Sequence, residues 1–270
     1  YNHKRGSHDP RTALVREYLR LVEEVRPTWL VMENVTGMAE ASGGQVVDDV
    51  HAALAASGYD SRHAVLKAEN YGVPQMRRRV FFVASARGMG AFRWPEPTHG
   101  PEAGRPHVTV GEAIMDLPEI EAGGVGDGMP YAAPADTEFR RVVRGDRRSV
   151  DGHVAPRLGE ANARRLAHIP EGGSWRDVPV ELLPEGMKRA RRSDHTRRYG
   201  RLWRSGLAPT VLTKADPHWT SAFHPVQDRV LTPRECARLQ SFPDWMSVRG
   251  RATSKYRQIG NAVPPLLAAA

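Results

Sequence analysis

Apolar residues in the first ninety positions alternate between a helical and a strand period. Asp9-Pro10 reads as a helix start, with Asp as N-cap and Pro at the first helical position. Leu14, Tyr18, Leu21 or Val22, and Val25 then mark one helical face, which Pro27 ends. Trp29-Leu30-Val31-Met32 is a short apolar run that predicts a buried parallel strand. Val46, Val47, Val50 and Leu54 predict a second helix, closed by Gly58 as C-cap. Two further strands are predicted over Tyr59–Lys67 and Val80–Ala84. Strand–helix–strand order points to an α/β, doubly wound sheet.

After Phe92 the pattern breaks. Pro95, Pro97, Pro101 and Pro106 among Gly and His read as a linker, and Val108 to Val226 is irregular and rich in Gly, Pro and Arg. Order returns at Thr232-Pro233-Arg234-Glu235, a capping box that opens a helix to about Gln240 before Pro243 stops it. The expected organisation is a first domain over 1–107, a smaller loop-rich domain over 108–245, and a return to the first over 246–270.

Charge sharpens this division. The 270 residues carry a formal +8. Between Arg140 and Arg204 lie 17 Lys/Arg against 8 Asp/Glu, and the rest of the chain nearly balances at 22 against 23. An excess gathered in one stretch suits a polyanion, since each neutralised phosphate releases counterions. The competing reading is an Arg-rich solvated face. No apolar run approaches the roughly 18–20 residues that cross a bilayer. The single cysteine excludes an internal disulfide and a cysteine zinc cage, fits a reducing cytoplasmic setting, and together with scattered histidines predicts no metal.

Three blocks carry candidate chemistry. Glu33-Asn34-Val35 follows the strand Trp29–Met32, and a carboxylate at the carboxyl end of a parallel strand faces the ligand crevice of such sheets. In Tyr71–Arg79, an extended segment puts Gln75, Arg77 and Arg79 on one face, a clamp for an anion or a carbonyl oxygen, or else a charged edge strand. Lys255–Pro265 by itself is a Gly-Asn turn before an apolar continuation.

In this order the blocks resemble the DNA cytosine-5 methyltransferase family. Its Glu-Asn-Val motif matches Glu33-Asn34-Val35, and its Gln-x-Arg-x-Arg motif matches Gln75, Arg77 and Arg79. Its Arg-Glu-x-Ala-Arg-Leu-Gln-x-Phe-Pro motif matches Arg234 to Pro243, and Gln-Ile-Gly-Asn-Ala-Val-Pro-Pro matches Gln258 to Pro265 without a gap. Weaker echoes are Ile169–Trp175 and Ala208–Thr213. The resemblance spans nearly the whole chain.

It implies a partial Rossmann-like sheet of the S-adenosylmethionine-dependent methyltransferases, with a target-recognition domain in the basic stretch. It implies methyl transfer from S-adenosylmethionine to C5 of a cytosine flipped out of duplex DNA. In that scheme a cysteine thiolate adds to C6 and makes C5 nucleophilic. Glu33 would meet the charge at N3, Arg79 would hold O2, Arg77 would support the carboxylate and a phosphate, and Asn34 would shape the pocket. Asn261, Ala262 and Val263 would line part of the methyl-donor site. Gln75, Thr210, Arg197, Arg198 and Arg201 are the DNA-binding candidates, with Thr210 on a phosphate.

Two family motifs are absent, the Gly-rich cofactor loop and the Pro-Cys-Gln nucleophile. Arg87–Gly90 does not supply the former, because it precedes a Pro-rich linker and not a helix. Cys236 does not supply the latter, because it sits inside the Arg234–Gln240 helix where the family has a small residue. The expectation is a fragment, or a subunit whose partner carries the nucleophile, acting on bacterial, nucleoid-associated DNA and inactive alone. Two other readings stay open: a non-catalytic DNA-binding remnant or subunit, and a tRNA cytosine-5 methyltransferase.

Overall fold

A computed structural model of the chain describes residues 10–90, 92–194 and 197–270; Asp9, the expected N-cap, lies outside them. The fold is mixed α/β. Helix α1 (Pro10–Val25) leads to strand β1 (Trp29–Val35), the short α2 (Thr36–Glu40), α3 (Gln45–Ala56) and β2 (Tyr59–Lys67). Strands β3 (Gln75–Met76) and β4 (Arg78–Ala86) follow. Short helices α4 (Val110–Ile114), α5 (Glu138–Arg144), α6 (Glu160–Leu166) and α7 (Glu185–Lys188) precede the small strands β5 (Gly200–Arg201), β6 (Ala208–Pro209) and β7 (Ser221–Phe223). The chain ends with α8 (Pro233–Leu239), α9 (Ala252–Asn261) and α10 (Pro265–Ala269). No helix among the described residues is long and apolar enough to cross a membrane.

Contacts divide the chain into two units: a first that runs to Leu66 and resumes over Arg78–Glu96, and a second of Lys67–Arg77 and Pro97–Ala270. This differs from the expected division. Residues 67–77 and 246–270 both group with the loop-rich region, because buried side chains described below tie them to it.

The first unit is built on the sheet order β1-β4-β2. β1 runs antiparallel to β4, with Leu30 opposite Ala84 and Glu33 opposite Phe81, so the expected parallel pairing of this strand is corrected. Its burial alternates: Leu30 and Met32 point inward, whereas Trp29 and Val31 are exposed. That alternation belongs to a one-sided antiparallel strand, and a four-residue apolar run does not reveal which faces are covered. Val22 of α1, Val47, Val50 and Leu54 of α3, and Val80, Phe82 and Ala84 of β4 close the core on the inward face. Gly58 ends α3 as expected: at φ 89° its N–H bonds to Ala55 O, a backbone conformation that an L side chain resists.

The second unit holds two apolar clusters. One joins α4, α5, α8 and α9 through Ile114, Val143, Leu239 and Ile259; the other gathers Leu166, Trp175, Met187 and Phe223. Long loops leave backbone groups that side chains must satisfy, and buried ions do much of this work. The Thr232–Glu235 capping box forms as expected, the carboxylate accepting from Thr232 N at 2.7 Å while Glu235 N donates to the threonine hydroxyl at 3.1 Å. The same carboxylate takes a bidentate contact from Arg229 at 2.7 and 2.9 Å, both groups being buried. Nearby, fully buried Arg238 bridges Asp116 at 2.9 Å and Asp244 at 2.6 Å.

Candidate active site

In the first unit, Glu33 and Arg79 come together because β1 and β4 are antiparallel neighbours. Arg79 pairs with Val35 two residues beyond Glu33, so both side chains reach across the same strand end. Arg79 Nε lies 2.9 Å from Glu33 Oε1, and both side chains are largely but not wholly buried. The N–H direction misses the hydrogen-bond line, and Oε1 is buried without a hydrogen bond. A carboxylate oxygen braced by a cation but not hydrogen-bonded has an acceptor direction left for a ligand. Asn34, between them in sequence, accepts from Val35 N at 2.8 Å and thereby fixes the turn from β1 into α2.

In the second unit, the two remaining members of the Gln-x-Arg-x-Arg block are buried. Gln75 is fully enclosed: Nε2 donates to Leu239 O and Gln240 Oε1 at 2.9 Å each, and Oε1 accepts from Val211 N at 2.8 Å. Gln240 in turn donates to Ile259 O at 2.7 Å and to Ala262 O at 3.3 Å. Arg77 is also buried, and its Nη2 donates to Gly260 O at 3.2 Å and Ala262 O at 3.0 Å. Extended alternation predicted a shared outward face for Gln75, Arg77 and Arg79. The strand is instead interrupted at Arg77, and Gln75 and Arg77 tie three distant blocks of sequence together. Gln75 is therefore corrected from a DNA contact to an internal tie, and Arg77 braces the end of α9 through Nη2.

That helix end is shaped for close packing. A Cβ on Gly260 would lie 2.6 Å from the carbonyl of Leu212 and 2.7 Å from Thr213 N, so only glycine allows this approach. Asn261 ends α9 exposed, followed by half-buried Ala262 and Val263. A polar group beside an apolar edge fits one wall of a ligand such as the methyl donor. It does not by itself form an enclosing site.

The DNA-binding candidates separate. Thr210 donates its hydroxyl to Met76 O at 2.7 Å, an exposed bond that ties it to the protein. Arg201 is buried, donating to Ile169 O at 2.8 Å and to Asp228 at 2.6 Å, and is structural. Arg140 and Arg144 also turn inward toward Asp116, which narrows the polyanion reading of the basic stretch. Arg197 is exposed, and the Arg198 guanidinium lies 4.8 Å over the ring of Trp219. Trp219 and Trp203 are 60% and 59% exposed, and sequence reasoning missed both. The available signal was a pair of tryptophans in a Gly- and Pro-rich segment with no apolar period to bury them. Cys236 is buried in α8, and burial followed by the charge of Glu235 pushes its thiol well above the ordinary range, which removes it as a nucleophile. Among the described residues no group of three or more His, Cys, Asp or Glu could hold a metal.

The fold has a counterpart among solved structures. A crystal structure of a candidate DNA modification methyltransferase encoded within an E. coli prophage superposes with a TM-score of 0.70 at 23% identity, covering 96% of this chain and 72% of that one. At the level of sequence, the profile of C-5 cytosine-specific DNA methylases matches residues 1–270, and the chain belongs to that family. DNA (cytosine-5)-methyltransferase 1A of Oryza sativa subsp. japonica is 35% identical over 295 residues, covering 94% of this chain and 19% of the relative. Type II methylase M.HgiDII of Herpetosiphon aurantiacus is 33% identical over 261 residues, covering 94% of this chain and 66% of the relative. The chain thus spans about a fifth of the plant relative and about two thirds of the bacterial one.

Proposed function

We propose that this chain forms the base-recognition side and one cofactor wall of a DNA cytosine-5 methyltransferase. The enzyme would move a methyl group from S-adenosylmethionine to C5 of a cytosine flipped out of duplex DNA. The observation that carries the reading is Glu33 Oε1, buried, braced at 2.9 Å by Arg79 and without a hydrogen bond. Addition of a thiolate at C6 drives electrons onto N3, and this step needs a proton held there. Glu33 Oε1 holds that proton between itself and N3, while Arg79 keeps the carboxylate in place and offers its guanidinium edge to O2. Asn34 fixes the turn from which both work.

When bound, S-adenosylmethionine supplies an electrophilic methyl group; Asn261, Ala262 and Val263 would hold its near side. Gly260 and the Arg77 clamp keep that segment at a fixed distance from Leu212–Thr213. The nucleophile must come from polypeptide outside these 270 residues, since the one cysteine is buried and its thiol stays protonated. We read the β1-β4-β2 sheet as part of a Rossmann-like methyltransferase sheet, and residues of the loop-rich region, among them exposed Arg197 and Trp219 with Arg198 over its ring, as the DNA-reading side. Relatedness to a bacterial type II methylase supports a cytoplasmic protein working at the nucleoid.

The test is Glu33→Gln in the enzyme completed by the polypeptide that carries the nucleophile. Loss of the acid is expected to lower the methyl-transfer rate by about 10²–10⁴, while duplex affinity changes by less than about threefold. Equal losses in rate and affinity would refute the assignment.

A further inference from the structure

A second polar site lies in the second unit, made of residues the methyl-transfer reading does not use. Asp151, Arg234, Ser247, Val248, Arg249 and Lys255 line a cavity of about 230 Å³ between the start of α8 and the first turns of α9. The volume is several times that of one water.

The charges within it do not balance. Asp151 is the one carboxylate on the lining. The Ser247 hydroxyl donates to it, and with Arg234, Lys255 and Arg147 nearby it stays below the usual carboxylate range. Arg234 is spoken for, donating to the carbonyls of Asp151 and Met246 and lying 3.4 Å from Asp244. Arg249 and Lys255 form no ion pair among the described residues. Lys255 is half-buried and Arg249 exposed, and both line the cavity.

The loop that carries Arg249 is fixed. Gly250 has φ 106°, a conformation that favours glycine and turns the chain into α9. Gln258 Nε2 donates to Arg249 O at 2.9 Å and ties the loop to that helix. Two cations without ion pairs line a cavity whose one carboxylate is already bonded to Ser247, and such a surplus of positive donors suits an oxyanion.

We propose that this cavity is a phosphate subsite, with Lys255 and Arg249 as the charged donors. The phosphate comes either from a free phosphate compound or from a nucleic-acid backbone. The inference does not depend on methyl transfer.

The experiment titrates the chain calorimetrically with inorganic phosphate, and separately with a short duplex over a range of salt. It compares wild type with Lys255→Gln, Arg249→Gln and Asp151→Asn, each checked for an unchanged melting temperature. Wild type is expected to bind phosphate, and either cation variant to bind it at least about tenfold more weakly. Asp151→Asn removes the one opposing charge and should bind it more tightly. If the source is a backbone, Lys255→Gln also lowers the slope of duplex affinity against salt by about one. If duplex binding is unchanged while phosphate binding falls, the ligand is a free phosphate compound. Phosphate binding absent from wild type, or the same in all four proteins, overturns the proposal.

Discussion

Gln75 separates two accounts of one motif. As a DNA contact it would project outward, and its loss would weaken duplex binding with little effect on folding. The geometry says otherwise: its amide joins Val211 N, Leu239 O and Gln240 Oε1 inside the second unit. Gln75→Met keeps the volume and removes all three bonds. The Val211 N–H then has no partner in a buried position, and two acceptors lose a donor. At about 1–3 kcal/mol for each buried group left unsatisfied, and with incomplete additivity, the expected destabilisation is about 3–5 kcal/mol. Urea unfolding followed by tryptophan fluorescence measures it, because Trp175 is buried in the same unit. The denaturation midpoint should fall with an unchanged m-value. Duplex affinity, measured well below the shifted midpoint, should stay within about twofold of wild type. A stability change below about 1 kcal/mol accompanied by loss of duplex affinity would refute the argument and restore Gln75 as a contact.

Two other expectations concern buried titrating groups. Cys236 should resist a thiol reagent in the native chain and react once in denaturant, and Cys236→Ala should leave methyl transfer intact in the completed enzyme; a folded but inactive variant would contradict the reading. Acid should destabilise the second unit in a defined window. His224 is held neutral, its value lowered to about 4 mainly by burial, and its Nδ1 accepts from Val226 N and Gln227 N. A lowered folded value means that the contribution is present above the unfolded value near 6.5 and is lost as pH falls from there to about 4, a change of about 3 kcal/mol. Glu235, lowered to about 2 because Arg229 outweighs its burial, adds a further loss below the ordinary carboxylate range. Unfolding free energy measured at pH 7.5, 5.5 and 4.5 should fall, and His224→Asn should flatten the first part of that fall; an unchanged slope in the variant would exclude His224 as its source.

Legibility in the sequence followed a physical boundary. Local devices were readable: the Thr232–Glu235 capping box and Gly58 both formed where backbone chemistry requires them. The order of the three strands' residues was readable too, but not their direction. β1 shows why, since a four-residue apolar run carries no information on which neighbour it pairs with. The basic stretch is the clearest failure. Arg140, Arg144 and Arg201 point inward to carboxylates and carbonyls, while Arg197 stays outside. Composition cannot separate these, because a guanidinium fits a carboxylate and a phosphate with the same fork. The contact units fall elsewhere than the expected domains for a related reason. The side chains that bind 246–270 to the loop-rich region are polar and far apart in sequence, so no hydrophobic period reveals them.

The matched motifs therefore perform two physical tasks. In the first unit Glu33 and Arg79 leave a carboxylate oxygen without a hydrogen bond, and in the second unit Asn261 is exposed. Gln75, Arg77, Gln240 and Gly260 form a buried set of amide, guanidinium and backbone contacts that holds the end of α9 against the Leu212–Thr213 segment. Such a set is demanding, because a polar group inside a protein stabilises only when every partner is present. Replacing one member leaves the others buried and unsatisfied, so changes at these positions are costly without any of them touching a ligand. A motif match alone does not separate residues with an open polar atom from those that hold the fold, and the geometry does. Here the division falls within a single block: Arg77 and Arg79 are two positions apart, one closing on carbonyls in the second unit and the other beside the carboxylate in the first.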